Sequence, residues 1–356
     1  MRDDQYVTDR LLLREQVIQA IRQFFAKENF HEVETPLLVK SPGTEPYLEV
    51  FETKLIDEQN QQQPAYLLTS PEYAMKKLLA GGLTKIYQIC KSFRNRESLG
   101  GTHNPEFTIL EWYRSDADYL DIMNDLANLI LFISHHLQAY YQQQTGQFAQ
   151  EIMERLQDST LSYQGKSYDL SVPYQRLSVT EAFERFVGVR AEQLLTVEGL
   201  RQAAKKQHYP LNGQESWDEL FYELFLNEIE PELAKLSRPM IIYDYPLSQA
   251  ALSKPKADQP QFAERFELYL AGLELGNAFS ELTDAQEQES RLKKELVLRQ
   301  QLGKTAYQLD QDFIAALQSG MPETGGIAVG VDRLVMLFAD ASDIDQTLFF
   351  PAKEMF

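Results

Sequence analysis

A chain of 356 residues that is 44% hydrophobic can bury a sizeable core, and its length fits one large catalytic domain or two small ones. With 34 Lys and Arg against 53 Asp and Glu, the net charge is −19, the wrong sign for gripping a nucleic-acid backbone over a broad surface, although it leaves room for a local basic pocket. Cys90 is the single cysteine, which excludes an intrachain disulfide and a cysteine cluster for zinc or iron–sulfur chemistry. The N-terminus MRDDQYVTDRLLLREQ lacks the apolar core of a signal peptide, and no apolar run approaches the ~20 residues of a membrane span, so a cytoplasmic protein without a membrane partner is expected.

Leu13, Val17, Ile21, Phe24 and Phe25 recur at helical spacing and predict a helix over 11–25, after which ENFHEVETP turns extended towards Pro36. PAYLLTSPEYAMKKLLAGG reads as a strand ending near Thr69, then a helix with Ser70 as N-cap, Pro71 in its first turn and a glycine pair past its end. TKIYQICKSFRN and PEFTILEWYR read as the strands of an antiparallel hairpin with a long polar tip, the kind of loop that carries function. A periodic helix follows over 119–145. From about 140 to 240 polar helices surround the acidic SWDELFYELFLNEIEPEL, which reads as an insertion or peripheral layer, with a solvated helical surface as the expected state. PMIIYDYP, ERFELYLAGLEL and GGIAVGV read as strands, the last feeding the apolar helix DRLVMLFA. There is no internal repeat and no low-complexity tract beyond QNQQQ at 59–63.

A phosphate loop of the GxxxxGK[ST] type is absent, and the five histidines show neither metal spacing nor a nucleophile partner. Strand alternation puts Phe107, Ile109, Glu111 and Tyr113 on one face and Thr108, Leu110 and Trp112 on the other. A glutamate on an apolar face needs a partner, either an internal salt bridge or a bound cation or amine. Glu267, Glu274 and Glu281 recur at intervals of seven in a largely apolar setting, a pattern that suits Mg²⁺ with nucleotide phosphates or a substrate ammonium, and otherwise an acidic surface. Arg333 stands in the first turn of a helix behind a glycine-rich strand end, where an anion site or a surface salt bridge would both be ordinary.

Three segments in this order, a helix–strand element ending at Pro36, FRN…HNPEF…E and GIAVGVDR, resemble the signatures of class II aminoacyl-tRNA synthetases. The resemblance is nearest to lysyl-tRNA synthetases from about residue 8 to the C-terminus and weakest over 140–240. Those enzymes carry an N-terminal anticodon-binding barrel, whereas this chain begins shortly before its first signature, so anticodon-dependent tRNA binding is not expected. TSPEYAMKKLL, FTILEWYR, YPLSQAAL, Ser70 and especially Ala328, where lysyl-tRNA synthetases typically have glycine, make the sequence similar to the elongation factor P–lysine ligase family, which attaches (R)-β-lysine to a lysine side chain of elongation factor P.

The resemblance implies an α+β fold, an antiparallel β-sheet flanked by helices in a single catalytic domain over 1–356, acting as a homodimer through the first signature. It implies ATP and Mg²⁺, with Arg94 and Arg333 as catalytic clamps on the phosphates. Asn95, Glu97, His103, Asn104, Phe107, Glu274, Leu275 and Gly330 would contact the nucleotide, Phe107 by stacking on adenine, and Glu267 and Glu274 would hold the metal. Ser70, Pro71, Glu72, Glu111, Tyr113, Asn277, Glu281 and Ala328 would line the pocket for lysine or (R)-β-lysine. The implied reaction forms an aminoacyl-adenylate and passes the acyl group to elongation factor P; a stand-alone enzyme charging tRNA and a silent lysine- or adenylate-binding regulator are the alternatives. The sequence departs from the family twice. Arg94-Asn95-Arg96-Glu97 has one residue more than the usual Arg-Asn-Glu, with Glu97 favoured over Arg96 for the adenine contact, and ENF at 28–30 lacks the usual glycine. Lys76, Lys77, Lys85 and Lys91 are candidates for a basic patch that docks the acidic acceptor, against a plain solvated surface.

Overall fold

The computed structural model describes residues 5–356. Helix α1, Gln5–Lys27, runs a little past the predicted span at both ends, and Leu13, Val17, Ile21 and Phe25 on its inner stripe are fully buried. The chain reverses after it through Asn29 at φ 60, with Phe30 N–H donating to Phe25 O at 2.9 Å. Asparagine is the side chain that best tolerates this left-handed conformation, so it stands in for the glycine that the first signature usually has there.

The sheet has eight strands: β1 His31–Glu32, β2 Lys85–Phe93, β3 Glu106–Ser115, β4 Gln175–Ser178, β5 Met240–Pro246, β6 Phe262–Leu270, β7 Leu273–Ser280 and β8 Thr324–Gly330. They lie in the order β1-β2-β3-β8-β7-β6-β5-β4. The six inner strands are antiparallel throughout, while β1 on β2 and β4 on β5 are parallel, so the sheet is mixed at its two edges. The β2–β3 hairpin is as the sequence predicts. ERFELYLAGLEL, by contrast, is two strands rather than one, because Ala271 and Gly272 both take positive φ, 56° and 79°, and reverse the chain in a tight turn.

Alternation decides what each face does. Leu110, Trp112, Phe266, Leu268, Ala278, Ile327 and Val329 turn to one face and form the main core with α1, α3 (Tyr119–Tyr141) and the Val331–Phe338 helix. α3 is started by a reciprocal capping pair, Asp118 and Asp121. The opposite face carries Phe107, Ile109, Asn277, Phe279, Ala328 and Gly330, all of which line a cavity.

The segment 140–240 corrects the expectation of a solvated helical surface. Val179, Phe183, Leu200, Leu220, Phe221, Leu224, Phe225 and Ile229 are buried and make a second core against Met240, Ile242, Tyr245, Phe262 and Tyr269 of the sheet. SWDELFYELFLNEIEPEL is amphipathic: its aromatic and leucine stripe fastens a helical layer onto the cavity face, while Glu219 is exposed, most of its other acids are half-buried and Asp218 reaches the cavity. A three-stranded sheet, Leu156–Gln157, Thr160–Tyr163 and Lys166–Asp169, also lies in this segment. Among the described residues, no helix is long and apolar enough to cross a membrane.

Candidate active site

The cavity has a volume of about 870 Å³ and runs along the sheet face from the β2–β3 hairpin to the start of helix α2, Glu72–Ala80. One end is cationic. Arg333 enters in the first turn of the Val331–Phe338 helix, where it donates to Glu274 O at 2.7 Å, to Thr102 O at 3.4 Å and to His103 Nε2 at 3.1 Å. That helix start is locked in place by Asp332, whose carboxylate accepts from Thr108 N at 2.6 Å and pairs with Arg14 of α1 at 2.5 Å. Burial and the Arg333 guanidinium hold His103 below its ordinary value, so its imidazole is neutral.

Arg94 sits at the end of β2 with its guanidinium 5.1 Å from the Phe107 ring centre, and its Nε is buried without an acceptor. A buried guanidinium N–H lacking a partner suits an anionic ligand that would supply one. In the hairpin tip Arg96 takes φ 58 and turns to solvent, while Glu97 lines the cavity, so the extra residue is absorbed as a local reversal. Asn104, Leu275 and Gly330 line the cavity too. Asn104 is bonded through both side-chain ends, to Glu106 O at 2.5 Å and from Ala352 N at 3.0 Å. Asn95 does not line it; its Oδ1 accepts from Arg96 N at 2.9 Å and shapes the loop.

The other end is anionic. Sheet register sets Glu111, Ala328 and Asn277 side by side on β3, β8 and β7, a juxtaposition that alternation within one strand does not show. Ser70, Glu72, Asn277 and Ala328 line the cavity, whereas Pro71, Glu111, Tyr113 and Glu281 lie behind them. Glu111 is fully buried and accepts from Ser70 Oγ at 2.5 Å and Tyr113 OH at 3.0 Å. Ser70 also accepts from Glu72 N at 3.1 Å, which makes it the partner of the α2 N-terminus, although the helix begins after Pro71. Burial and the nearby Glu72 charge push the Glu111 carboxyl up to about 8, against the pull of its two hydrogen bonds and of Lys76.

Between the two ends stand Glu267 and Glu274. Depth in the cavity and the Glu267 charge push the Glu274 carboxyl up, and its side chain lies 3.6 Å from Arg333. Two carboxylates that repel each other beside two arginines suit a hard divalent cation carried by a polyphosphate, since Mg²⁺ takes one or two protein carboxylates and draws its other ligands from phosphate and water. Among the described residues, no group of three or more His, Cys, Asp or Glu could hold a metal alone. Glu267 is the less available of the pair: it is salt-bridged to Arg265 and accepts from Tyr245 OH at 2.6 Å and Tyr269 OH at 2.7 Å.

Two site residues were not anticipated. Arg265 is buried, packs over the Tyr245 ring at 4.3 Å and donates to Asn277 Oδ1 at 3.2 Å, so it ties the metal end of the cavity to the amino-acid end. Its signal is simple, because residues 265 and 267 share one strand face. Lys76 corrects the reading of a docking lysine: it is 1% exposed, with Nζ 2.5 Å from both Glu72 and Glu281. Residues 72, 76 and 79 share the buried stripe of α2, and that spacing is visible in the sequence. Lys77 and Lys91 are paired with Asp310 and Glu106, and Lys85 donates to Glu28 O at 3.3 Å.

The sequence comparisons agree with this geometry. The family of class II tRNA synthetases (D, K and N) matches residues 2–354. An elongation factor P–(R)-β-lysine ligase of Histophilus somni is 36% identical over 96% of this chain and 94% of its own length, and that of Pasteurella multocida is 37% identical with the same coverage. A lysine–tRNA ligase of Moorella thermoacetica is 35% identical over 96% of this chain but 64% of its own. The chain belongs to the class II tRNA synthetase family and, within it, groups with the elongation factor P–(R)-β-lysine ligases.

Proposed function

We propose that the protein activates (R)-β-lysine, or lysine, with ATP and transfers the acyl group to a lysine side chain of elongation factor P. One observation carries the activation step: a single cavity has arginines at one end, with the Glu267–Glu274 pair next to them, and the buried carboxylates Glu72, Glu111 and Glu281 at the other. A polyphosphate fits the first and a diamino acid the second. The acceptor is supported by the names of the relatives that match end to end.

In the first step a carboxylate oxygen of the amino acid attacks the α-phosphorus of ATP, and pyrophosphate leaves. Arg94 and Arg333 neutralise phosphate charge, Glu274 with Glu267 behind it would hold the accompanying Mg²⁺, and the carboxylates of the far wall hold the ammonium groups. Mg²⁺ supplies charge neutralisation on the phosphates. A carboxylate nucleophile needs no general base, which agrees with a His103 that is neutral and engaged with Arg333. The neutral amine of the acceptor lysine then attacks the acyl carbon, AMP leaves and the amine proton goes to solvent. A homodimer built on the first-signature element belongs to this reading, supported by the exposed apolar side chains Leu12, Leu37 and Leu38.

ATP–pyrophosphate exchange with (R)-β-lysine, α-lysine or no amino acid, followed by intact-mass measurement of added elongation factor P, tests the proposal. Exchange that favours β-lysine with a matching mass gain is expected. Exchange with α-lysine and an unmodified factor would move the acceptor to tRNA, as the lysine–tRNA ligase relatives do by name. Ligand binding without any exchange would leave a regulator.

A further inference from the structure

The catalytic reading leaves one cation in the site without a role. Lys76 lies one helical turn after Glu72 on α2, with Nζ 2.5 Å from Glu72 Oε1 and 2.5 Å from Glu281 Oε2, and the Phe313 ring 5.9 Å away. Burying an ammonium is costly unless it is paired, and here the pairing is with two carboxylates of the proposed substrate wall. Each gives Lys76 one oxygen. The other oxygen of Glu281, Oε1, is buried with no donor, packed where Gly326 has no side chain to meet it. That residue is 1% exposed.

The groups facing this ammonium are Glu72 from α2, Glu281 from the end of β7, Glu111 and Tyr113 from β3, and the Phe313 ring from the Gln311–Gly320 helix. Once all three are ionised, three carboxylates against one ammonium leave two negative charges in the wall. A ligand with two ammonium groups balances that count, and one with a single ammonium leaves a buried charge unmatched. We propose that Lys76 is a positioning residue that sets substrate specificity: a tethered ammonium that pins Glu72 and Glu281 in place and answers only one of the three carboxylates, so that the wall takes a diamino acid and rejects a monoamino one. This rests on the reading of the cavity as an amino-acid activation site.

Titration runs the same way. Burial pushes Glu281 up to about 8 even though Lys76 pulls against it, and the Lys76 ammonium, which burial disfavours, is held above its ordinary value by Glu281 and Glu72. With the ammonium removed, Glu281 would hold its proton to a higher pH, and the substrate would have to displace it.

The test is ATP–pyrophosphate exchange with (R)-β-lysine from about pH 6 to about pH 9 for the natural protein, Lys76→Met and Lys76→Arg. The methionine variant is expected to raise KM for the diamino acid by about tenfold at neutral pH and to move the acidic limb of kcat/KM up by about one pH unit, with kcat within about threefold, and arginine is expected to restore both. A KM rise that is the same at every pH, or a loss in kcat alone, would show a structural strut and overturn the proposal. If the methionine variant fails to fold, calorimetric titration of the natural protein in two buffers of different ionisation enthalpy decides instead: proton release on binding the diamino acid near neutral pH supports the charge count, and none overturns it. Natural protein that binds a diamino acid with proton release but exchanges with no lysine isomer would sink the catalytic reading while leaving the charge count standing.

Discussion

The two ends of the cavity are built on opposite plans. At the nucleotide end, Arg94 and Arg333 are partly open to the cavity; Arg94 meets a ring face with its Nε left without an acceptor, and Arg333 meets a neutral imidazole, backbone carbonyls and, as its one charged partner, Glu274. A polyphosphate can displace such partners at small cost, and guanidinium groups stay charged at every working pH. At the amino-acid end, Glu111 and Glu281 are 0% and 1% exposed, and burial makes their charge conditional. The contrast teaches where the pH dependence near pH 8 will enter: through the amino-acid end.

Breaking the nucleotide end has the largest expected effect. Arg333→Ala should lower pyrophosphate exchange by roughly 10²- to 10³-fold through kcat/KM, with the limb near pH 8 unmoved, because Arg333 acts on His103 and Glu274 and not on Glu111 or Glu281. A profile displaced along the pH axis would break the division between the two ends. Glu111→Gln keeps shape and removes charge; it should raise KM for the amino acid by about tenfold or more and flatten the fall of kcat/KM below about pH 8. Steady-state kinetics with ATP saturating would show this, and a change in KM for ATP instead would contradict it.

The same carboxyls make a stability prediction. Glu111 and Glu281 have folded-state values raised to about 8 above an ordinary carboxyl near 4.5, so the folded protein holds protons that the unfolded chain gives up. Their contribution to stability is therefore fully present below about pH 4.5 and is lost as pH rises through about 8. Thermal melts should show that a bound diamino acid raises Tm more at pH 8 than at pH 6, and equal shifts would mean that these groups are not coupled to the ligand. Ala328→Gly is expected to change the ratio of kcat/KM between (R)-β-lysine and α-lysine by several-fold in favour of α-lysine, about the worth of one methyl group, roughly 1 kcal/mol. The smallest effect lies far from both ends. Asn29→Ala should cost about 1 kcal/mol in the left-handed reversal after α1, and Asn29→Gly should be near neutral, as chemical denaturation would read out.

By itself the sequence determined the strands with clear alternation, the helices with clear periodicity, and which residue types would do the chemistry. Phe107, Ile109 and Gly330 face the cavity as a period of two requires, and Arg333 stands in the first turn of its helix. Local rules reached that far because backbone geometry within one element is set by residues a few positions apart. They misjudged SWDELFYELFLNEIEPEL, whose acids are conspicuous but whose buried stripe depends on a sheet face supplied from elsewhere in the chain. Only the tertiary structure decided that Glu111, Ala328 and Asn277 are neighbours, since cross-strand register joins Ala328 to positions 217 and 51 residues away, and only it placed Lys76 between Glu72 and Glu281 instead of in water. The physical reason is the same in both cases. Whether a charge is a solvated surface group or an internal counter-ion depends on the desolvation and partners that packing imposes, and neither is a property of the residue or of its neighbours in sequence.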